Sequence, residues 1–188
     1  MKNNTLPLDE WNLFDPIIDD VKTMIELGNK KNANGTYKDM FESNGIQHTS
    51  IDTNGLDGAL NLDLREKLLL KDLGLKSKVD CVSNIGTTEH VVPQGEVWAN
   101  ILRWLKVGGY FISVTPMPEQ WWWHGDLYPT AAWYESFCEL NKLEIETLHV
   151  DLERPRENNY LRARKTAEVY TVKLPDDDLM YKNVIRRR

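Results

Sequence analysis

Short apolar runs alternate along this chain with stretches of helical spacing, and that alternation limits its fold more than any other feature. Thr23-Met24-Ile25-Glu26-Leu27 is a strand-like run closed by Gly28. Tyr37, Met40 and Phe41 then share one helical face, with Gly45 just past it. His48-Thr49-Ser50-Ile51 is a second strand-like run leading into Asp52, and Ala59-Leu60-Asn61-Leu62 a third leading into Asp63. Leu68, Leu69 and Leu73 predict a helix stopped by Gly74. Lys78 to Asn84 is the fourth run, and Val97, Trp98, Ile101, Leu102 and Leu105 predict a helix ended by Gly108-Gly109. Tyr110 to Val114 is apolar enough for a strand covered on both faces of a parallel sheet. Parallel neighbours need a crossover helix, so the order predicts a doubly wound α/β sheet, mostly parallel, with helices on both faces. After a helix around Trp133 to Leu140, Leu143 to Val150 and Ala167 to Leu174 have no helical pattern between them. They predict an antiparallel pair at the end of the sheet.

A chain of 188 residues fits one domain. Residues 1–21 are expected to be a helical segment, because Trp11, Phe14, Ile17, Ile18 and Val21 fall on one face interrupted at Pro16. Residues 22–174 form the expected core and 175–188 a tail. No apolar run approaches the ~20 residues of a membrane span, and Met1-Lys2-Asn3-Asn4 lacks a signal-peptide core. Cys81 and Cys138 lie in apolar segments without metal-ligand spacing and are expected as buried thiols in a reducing, cytoplasmic setting. No metal is expected. The net charge of −6 argues against a broad phosphate-binding surface, and hence against nucleic acid as a partner. The late basic residues Arg154, Arg156, Arg162, Arg164, Lys165 and Arg186 to Arg188 are expected in a solvated loop or tail. An oligomer is compatible with the sequence.

Ligands of open α/β sheets bind beyond the carboxyl ends of the strands, at the topological switch point. Four predicted ends are polar: Glu26-Leu27-Gly28-Asn29, Asp52-Thr53, Asp63-Leu64 and Asn84-Ile85-Gly86-Thr87. A carboxylate at Asp52 suits two ribose hydroxyls, and one at Asp63 suits an adenine amino group. In that order along one edge, the four ends point to an adenosine-type pocket.

These segments, together with Asp80-Cys81-Val82-Ser83-Asn84 and Leu105-Lys106-Val107-Gly108-Gly109-Tyr110-Phe111, resemble the class I S-adenosylmethionine-dependent methyltransferases over roughly residues 20–174. The resemblance implies a Rossmann-like sheet of about seven strands with the last antiparallel. It also implies S-adenosylmethionine as cofactor and S-adenosylhomocysteine as product. Gly28 and Asn29 would lie near the methionine part, with Glu26 opening that motif. Asp52 with Thr53 would hold the ribose, Asp63 with Leu64 the adenine, and Asn84 to Thr87 would flank the methyl group. The family's first loop runs acidic-x-Gly-x-Gly-x-Gly, whereas here Lys30 and Lys31 follow Gly28-Asn29 and the next glycine is Gly35. Either the loop holds cofactor differently or methyl transfer has been lost.

Methyl transfer is an in-line displacement helped mainly by positioning, with a base needed only where the acceptor must lose a proton. The candidate bases are His90, Glu89 and His124. Trp121, Trp122, Trp123, His124 and Tyr128, in a Pro-bounded segment, are candidates for an aromatic wall around a small-molecule acceptor, or else for core or interface packing. Two other readings compete. A nicotinamide-dependent oxidoreductase shares the strand–Gly–helix–strand–Asp order but wants Gly-x-Gly-x-x-Gly, which is absent. A methyltransferase-like binding or scaffold protein without catalysis would explain the altered glycine loop.

Overall fold

A computed structural model describes residues 8–32, 35–117, 124–151 and 158–182. Its elements in chain order are α1 (Leu8–Phe14), β1 (Thr23–Leu27), β2 (Lys31–Asn32), β3 (Gly35–Thr36), α2 (Tyr37–Ser43), β4 (Gln47–Ile51), β5 (Val79–Ile85), α3 (Gly95–Trp104), β6 (Leu105–Pro116), β7 (Leu127–Pro129), α4 (Ala131–Leu140), β8 (Leu143–Val150), β9 (Asn158–Lys165) and β10 (Met180–Lys182). Six strands make the main sheet in the order β4-β1-β5-β6-β9-β8. β1 pairs in parallel with β4 and β5, and β5 with β6, while β9 runs antiparallel to both β6 and β8.

Alternation along each strand sends neighbouring side chains to opposite faces. Ile25, Val82 and Phe111 join one core with α3 and α4, whereas Met24, Cys81 and Ile112 join a second with α1 and α2. The sheet is therefore covered on both faces, as the strand–helix order predicts. The first core is aromatic at its centre: Trp98 lies 4.6 Å from Trp133 and 5.2 Å from Phe137 between ring centroids. On the other face, α1 ends at Phe14 and a 3-10 turn with Pro16 follows, Asp15–Ile17. That is the break expected of a proline lacking an N–H. Cys81 and Cys138 are buried free thiols.

Four expectations are corrected. The run Ala59 to Leu62 is not a strand: Leu60 alone forms a parallel bridge, with Ile51. Residues 52–59 are too few for the crossover a full parallel strand needs, so the sheet has six strands among the described residues. The helix expected at Leu68 to Leu73 shrinks to a 3-10 turn, Leu70–Leu73. Helix α3 ends at Trp104 rather than at Gly108-Gly109. Lys165 closes that end, its Nζ donating to Leu102 O at 3.0 Å and Leu105 O at 2.8 Å, while Gly109 lies where a Cβ would stand 2.8 Å from Asp80 O.

The fourth correction is the partner of β8, which is Asn158–Lys165 and not Ala167 to Leu174. Its charges conceal it in sequence, yet each has a place. Arg162 Nε meets Glu146 Oε2 at 2.9 Å, Arg164 lies over the Tyr110 ring at 5.6 Å, and Lys165 caps α3. The basic residues 162, 164 and 165 thus belong to the sheet, while 154, 156 and 186–188 lie outside the described residues. The expected tail also contributes structure, since β10 pairs antiparallel with β7.

Candidate functional site

The strand order reverses at β1, which has β4 on one side and β5 on the other, so a crevice opens between the carboxyl ends of β1 and β5. A cleft of about 590 Å³ occupies it, within the range of small-ligand sites. Gly28, Asn29, Asp52, Thr53, Asp63, Leu64, Ile85, Gly86, Thr87 and His90 all line it. The sequence reading missed Lys30, Ile51, Leu62, Arg65, Val91, Val92 and Asp126, which line it as well.

Two expected cofactor residues do not reach the cleft. Glu26 is fully buried, with Oε2 3.1 Å from His48 Nε2 and Oε1 accepting from Lys30 N at 3.2 Å. Its burial pushes the carboxyl above its ordinary range, His48 and Lys30 opposing that rise. Asn84 is also fully buried and braces the next turn: its Nδ2 donates to Thr88 Oγ1 and Ser113 Oγ, and its Oδ1 accepts from Thr88 N at 3.0 Å. Tyr128, an expected acceptor-wall residue, is buried with its hydroxyl accepting from Gly125 N. Trp121, Trp122 and Trp123 lie outside the described residues.

The polar groups of the cleft differ in what they leave open. Asn29 donates through Nδ2 to Leu56 O at 2.8 Å, while its buried Oδ1 has no partner among the described residues. Asp52 follows β4 and lines the cleft, its Oδ1 accepting from Asn54 N at 2.9 Å. Asp63 is gripped by Arg65, Nη2 to Oδ2 at 2.5 Å, and these bonds hold its carboxyl below the usual range. Asn100 on α3 fixes this segment, donating to Leu64 O and Glu66 O and accepting from Leu68 N.

At Gly28, φ is +79° and an added Cβ would strike Thr87 Oγ1. Thr87 Oγ1 in turn donates to Leu27 O at 2.8 Å, stitching the ends of β1 and β5 together. The glycine is thus required by this stitch as well as by its backbone. Where the glycine loop of the resembled family would continue, β2 and β3 form a small antiparallel pair. Lys30 then extends over Gly86, where a Cβ would stand 3.3 Å from its Nζ.

Across the cleft, the 3-10 turn Thr88–His90 carries Glu89 and His90. A buried polar chain makes the turn rigid: Ser113 Oγ and Thr115 Oγ1 both meet Tyr134 OH, and Gln94 bridges Thr88 O to Trp98 Nε1. His124 joins His90 from the far side, ring centroids 4.7 Å apart.

No family model and no curated protein matches the sequence. Solved structures do match its fold. The 1,6-didemethyltoxoflavin N1-methyltransferase of Burkholderia thailandensis, solved with 1,6-didemethyltoxoflavin and S-adenosylhomocysteine, superposes with a TM-score of 0.62 at 14% identity, over 85% of this chain and 77% of that one. The N-methyltransferase NodS of Bradyrhizobium japonicum gives 0.57 at 12% identity, over 84% and 94%. A geranyl diphosphate methyltransferase in complex with S-adenosylmethionine gives 0.56 at 12% identity, over 85% and 86%. The chain has the Rossmann-like fold of the class I S-adenosylmethionine-dependent methyltransferases.

Proposed function

We propose that the protein is an S-adenosylmethionine-dependent methyltransferase acting on a small-molecule acceptor and releasing S-adenosylhomocysteine. The observation that carries this reading is the switch-point cleft of about 590 Å³, which Gly28, Asn29, Asp52 and Thr87 line together and beside which Asn29 Oδ1 is buried with no partner among the described residues. A buried acceptor without a donor costs about 1–3 kcal/mol, so Asn29 is built for a ligand that donates. The α-ammonium of a methionine moiety is such a donor, and Lys30 supplies the cation for its carboxylate. Asp52 would take the ribose hydroxyls. Asp63, kept ionised by Arg65, would accept from the adenine amino group, with Leu62 and Leu64 as apolar cover.

When bound, S-adenosylmethionine supplies an electrophilic methyl group on a sulfonium. The residues of this chain would orient it and hold the acceptor in line, a positioning effect that removes much of the barrier. His90 lines the acceptor side, with Glu89 buried behind it and His124 beside it. We assign His90 the acceptor's proton where one must leave, and the segment reaching His124 the acceptor wall. The solved neighbours support the small-molecule class, and the acidic net charge of −6 disfavours nucleic acid. No described helix is long and apolar enough to cross a membrane.

Calorimetric titration with S-adenosylmethionine and with S-adenosylhomocysteine tests the reading. Binding in the micromolar range is expected for both, and no binding to either by folded protein overturns it. The β2–β3 pair in place of a glycine loop favours a second reading, a binding protein without turnover. Binding without methyl transfer across an acceptor screen would select it.

A further inference from the structure

Glu89 is fully buried, and neither of its carboxylate oxygens accepts a hydrogen bond among the described residues. Burying an unpaired carboxylate is costly, and native proteins rarely leave one so. Two imidazoles converge on it. His90 Nε2 lies 3.8 Å and His124 Nε2 3.6 Å from Glu89 Oε1, and one ligand atom from each of the three residues fits within 4.8 Å of the others.

The convergence is built by the fold. Thr88–His90 is pinned by Asn84 and Gln94. The segment bearing His124 docks on that turn through Asp126 N, which donates to Glu89 O at 2.8 Å. Gly125 makes the docking possible, since a Cβ there would stand 2.8 Å from Glu89 Cγ and 2.9 Å from Glu89 O. Two residues far apart in sequence, His90 and His124, are thereby held over one buried carboxyl group.

We propose that Glu89, His90 and His124 form a divalent transition-metal site, with Zn²⁺ the ion it suits best. Two neutral imidazoles and one carboxylate are a donor set of catalytic zinc sites, in which substrate or water takes the fourth position. Tetrahedral donors around such an ion stand about 3.4 Å apart, so the two Glu89–imidazole distances of 3.8 and 3.6 Å need little change, while the widest pair of the trio, within 4.8 Å, closes by a rotation of the part-exposed imidazoles. Both imidazoles are part-exposed while the carboxylate is sealed, which turns the remaining coordination positions outward. His90 also lines the cleft, so those positions open toward the volume given to the acceptor; with Nε2 on the ion, the imidazole would keep no lone pair for the acceptor's proton, and a metal-bound water would take it in its place. Under the reading of the cleft proposed above, an acceptor bearing a hydroxyl or carboxylate oxygen is the class that such an ion would hold. Metal binding itself does not depend on that reading.

The test is a titration of the full, chelator-stripped chain with Co²⁺, followed by displacement with Zn²⁺, in the absence of any cofactor. One equivalent of Co²⁺ should bind with visible d–d bands of a low-coordinate nitrogen–oxygen site, and Zn²⁺ should abolish them. His90→Ala and His124→Ala, both at part-exposed side chains, should each weaken binding at least tenfold, and Glu89→Gln at least as much. Circular dichroism and thermal melting of each variant check that it folds. No saturable binding by the wild-type chain, or unchanged affinity in the two histidine variants, overturns the site. Titration with S-adenosylhomocysteine is read separately, so loss of the cofactor reading and loss of the metal site are distinguishable.

Discussion

Asp52 lines the cleft with one carboxylate oxygen committed to its own turn. Asp52→Ala should weaken S-adenosylhomocysteine binding by about tenfold to a hundredfold, the loss of one or two charge-assisted hydrogen bonds. Calorimetry on the folded variant checks it, and unchanged affinity removes Asp52 from the site. Gly28 calls for a different experiment, because two separate causes forbid a side chain there. Its φ of +79° penalises any Cβ, and Thr87 Oγ1 occupies the place the Cβ would take. Gly28→Ala should therefore cost about 2–4 kcal/mol. In a Thr87→Ala background the increment should fall to about 1–2 kcal/mol, the backbone part alone. Equal costs in both backgrounds would show that Thr87 yields without strain. Sequence alone marked Gly28 as the close of a strand-like run and, by resemblance, as a neighbour of the cofactor's methionine part. Its tighter constraint is the hydroxyl of Thr87, far along the chain, which no local pattern discloses.

Between elements, the weight falls on polar ties that join strands to their connections. Asp80, near the start of β5, accepts from Lys22 N at 2.9 Å and Thr23 N at 2.8 Å, and pairs with Lys106. Burial raises its carboxyl, but the hydrogen bonds from Lys106, Lys22 and Thr23 outweigh that and bring it below the ordinary range. A carboxyl depressed on folding contributes stability above its unfolded value, near 3.9, and loses it as pH falls through the folded value. Asp80→Asn should cost about 1–3 kcal/mol at neutral pH, with the gap to wild type closing below about pH 4. Urea midpoints over that range would show it, and a gap independent of pH would deny Asp80 its ionised role. Lys165, at the end of β9, is a comparable tie, since Lys165→Met strands the carbonyls of Leu102 and Leu105. A loss of about 1–3 kcal/mol in urea denaturation is expected. The same residue explains why β9 was illegible. Periodicity finds strands by apolar side chains, and this one carries Arg162, Arg164 and Lys165, whose charges are satisfied by partners on β8, β6 and α3. The strands β1, β5 and β6 announce themselves because sealing on both faces favours apolar residues at most positions, whereas the edge strand β4 is marked mainly by Ile51 and the polar end that follows it.

At the scale of the whole molecule, the site is a consequence of strand order. Once β4 and β5 flank β1, their carboxyl ends converge, and Asn29, Asp52 and Thr87 meet although none is near another in sequence. The cleft was legible to that extent from the elements alone. Lys30, Arg65 and Asp126 were not, because they reach it through loop geometry that follows no period, and the burial of Glu26 and Asn84 depends on neighbours across the sheet. A ligand bridging these ends should tie β1, β4, β5 and the Asp63–Arg65 segment into one unit, so its binding energy should appear as global stability. A ligand at a hundred times its dissociation constant adds about 2.7 kcal/mol to a folded state that alone binds it. For a domain of this length each kcal/mol raises the midpoint by about 2–4 °C, so S-adenosylhomocysteine at that concentration should raise it by about 5–11 °C. Asp52→Ala, if tenfold weaker, retains about 1.4 kcal/mol at the same concentration and should show about half that shift. Thermal melts of both proteins with and without ligand make the comparison. A full shift in the variant would mean that the ligand sits elsewhere than at the end of β4, while no shift in wild type, with folding intact, would mean that the cleft does not take this ligand.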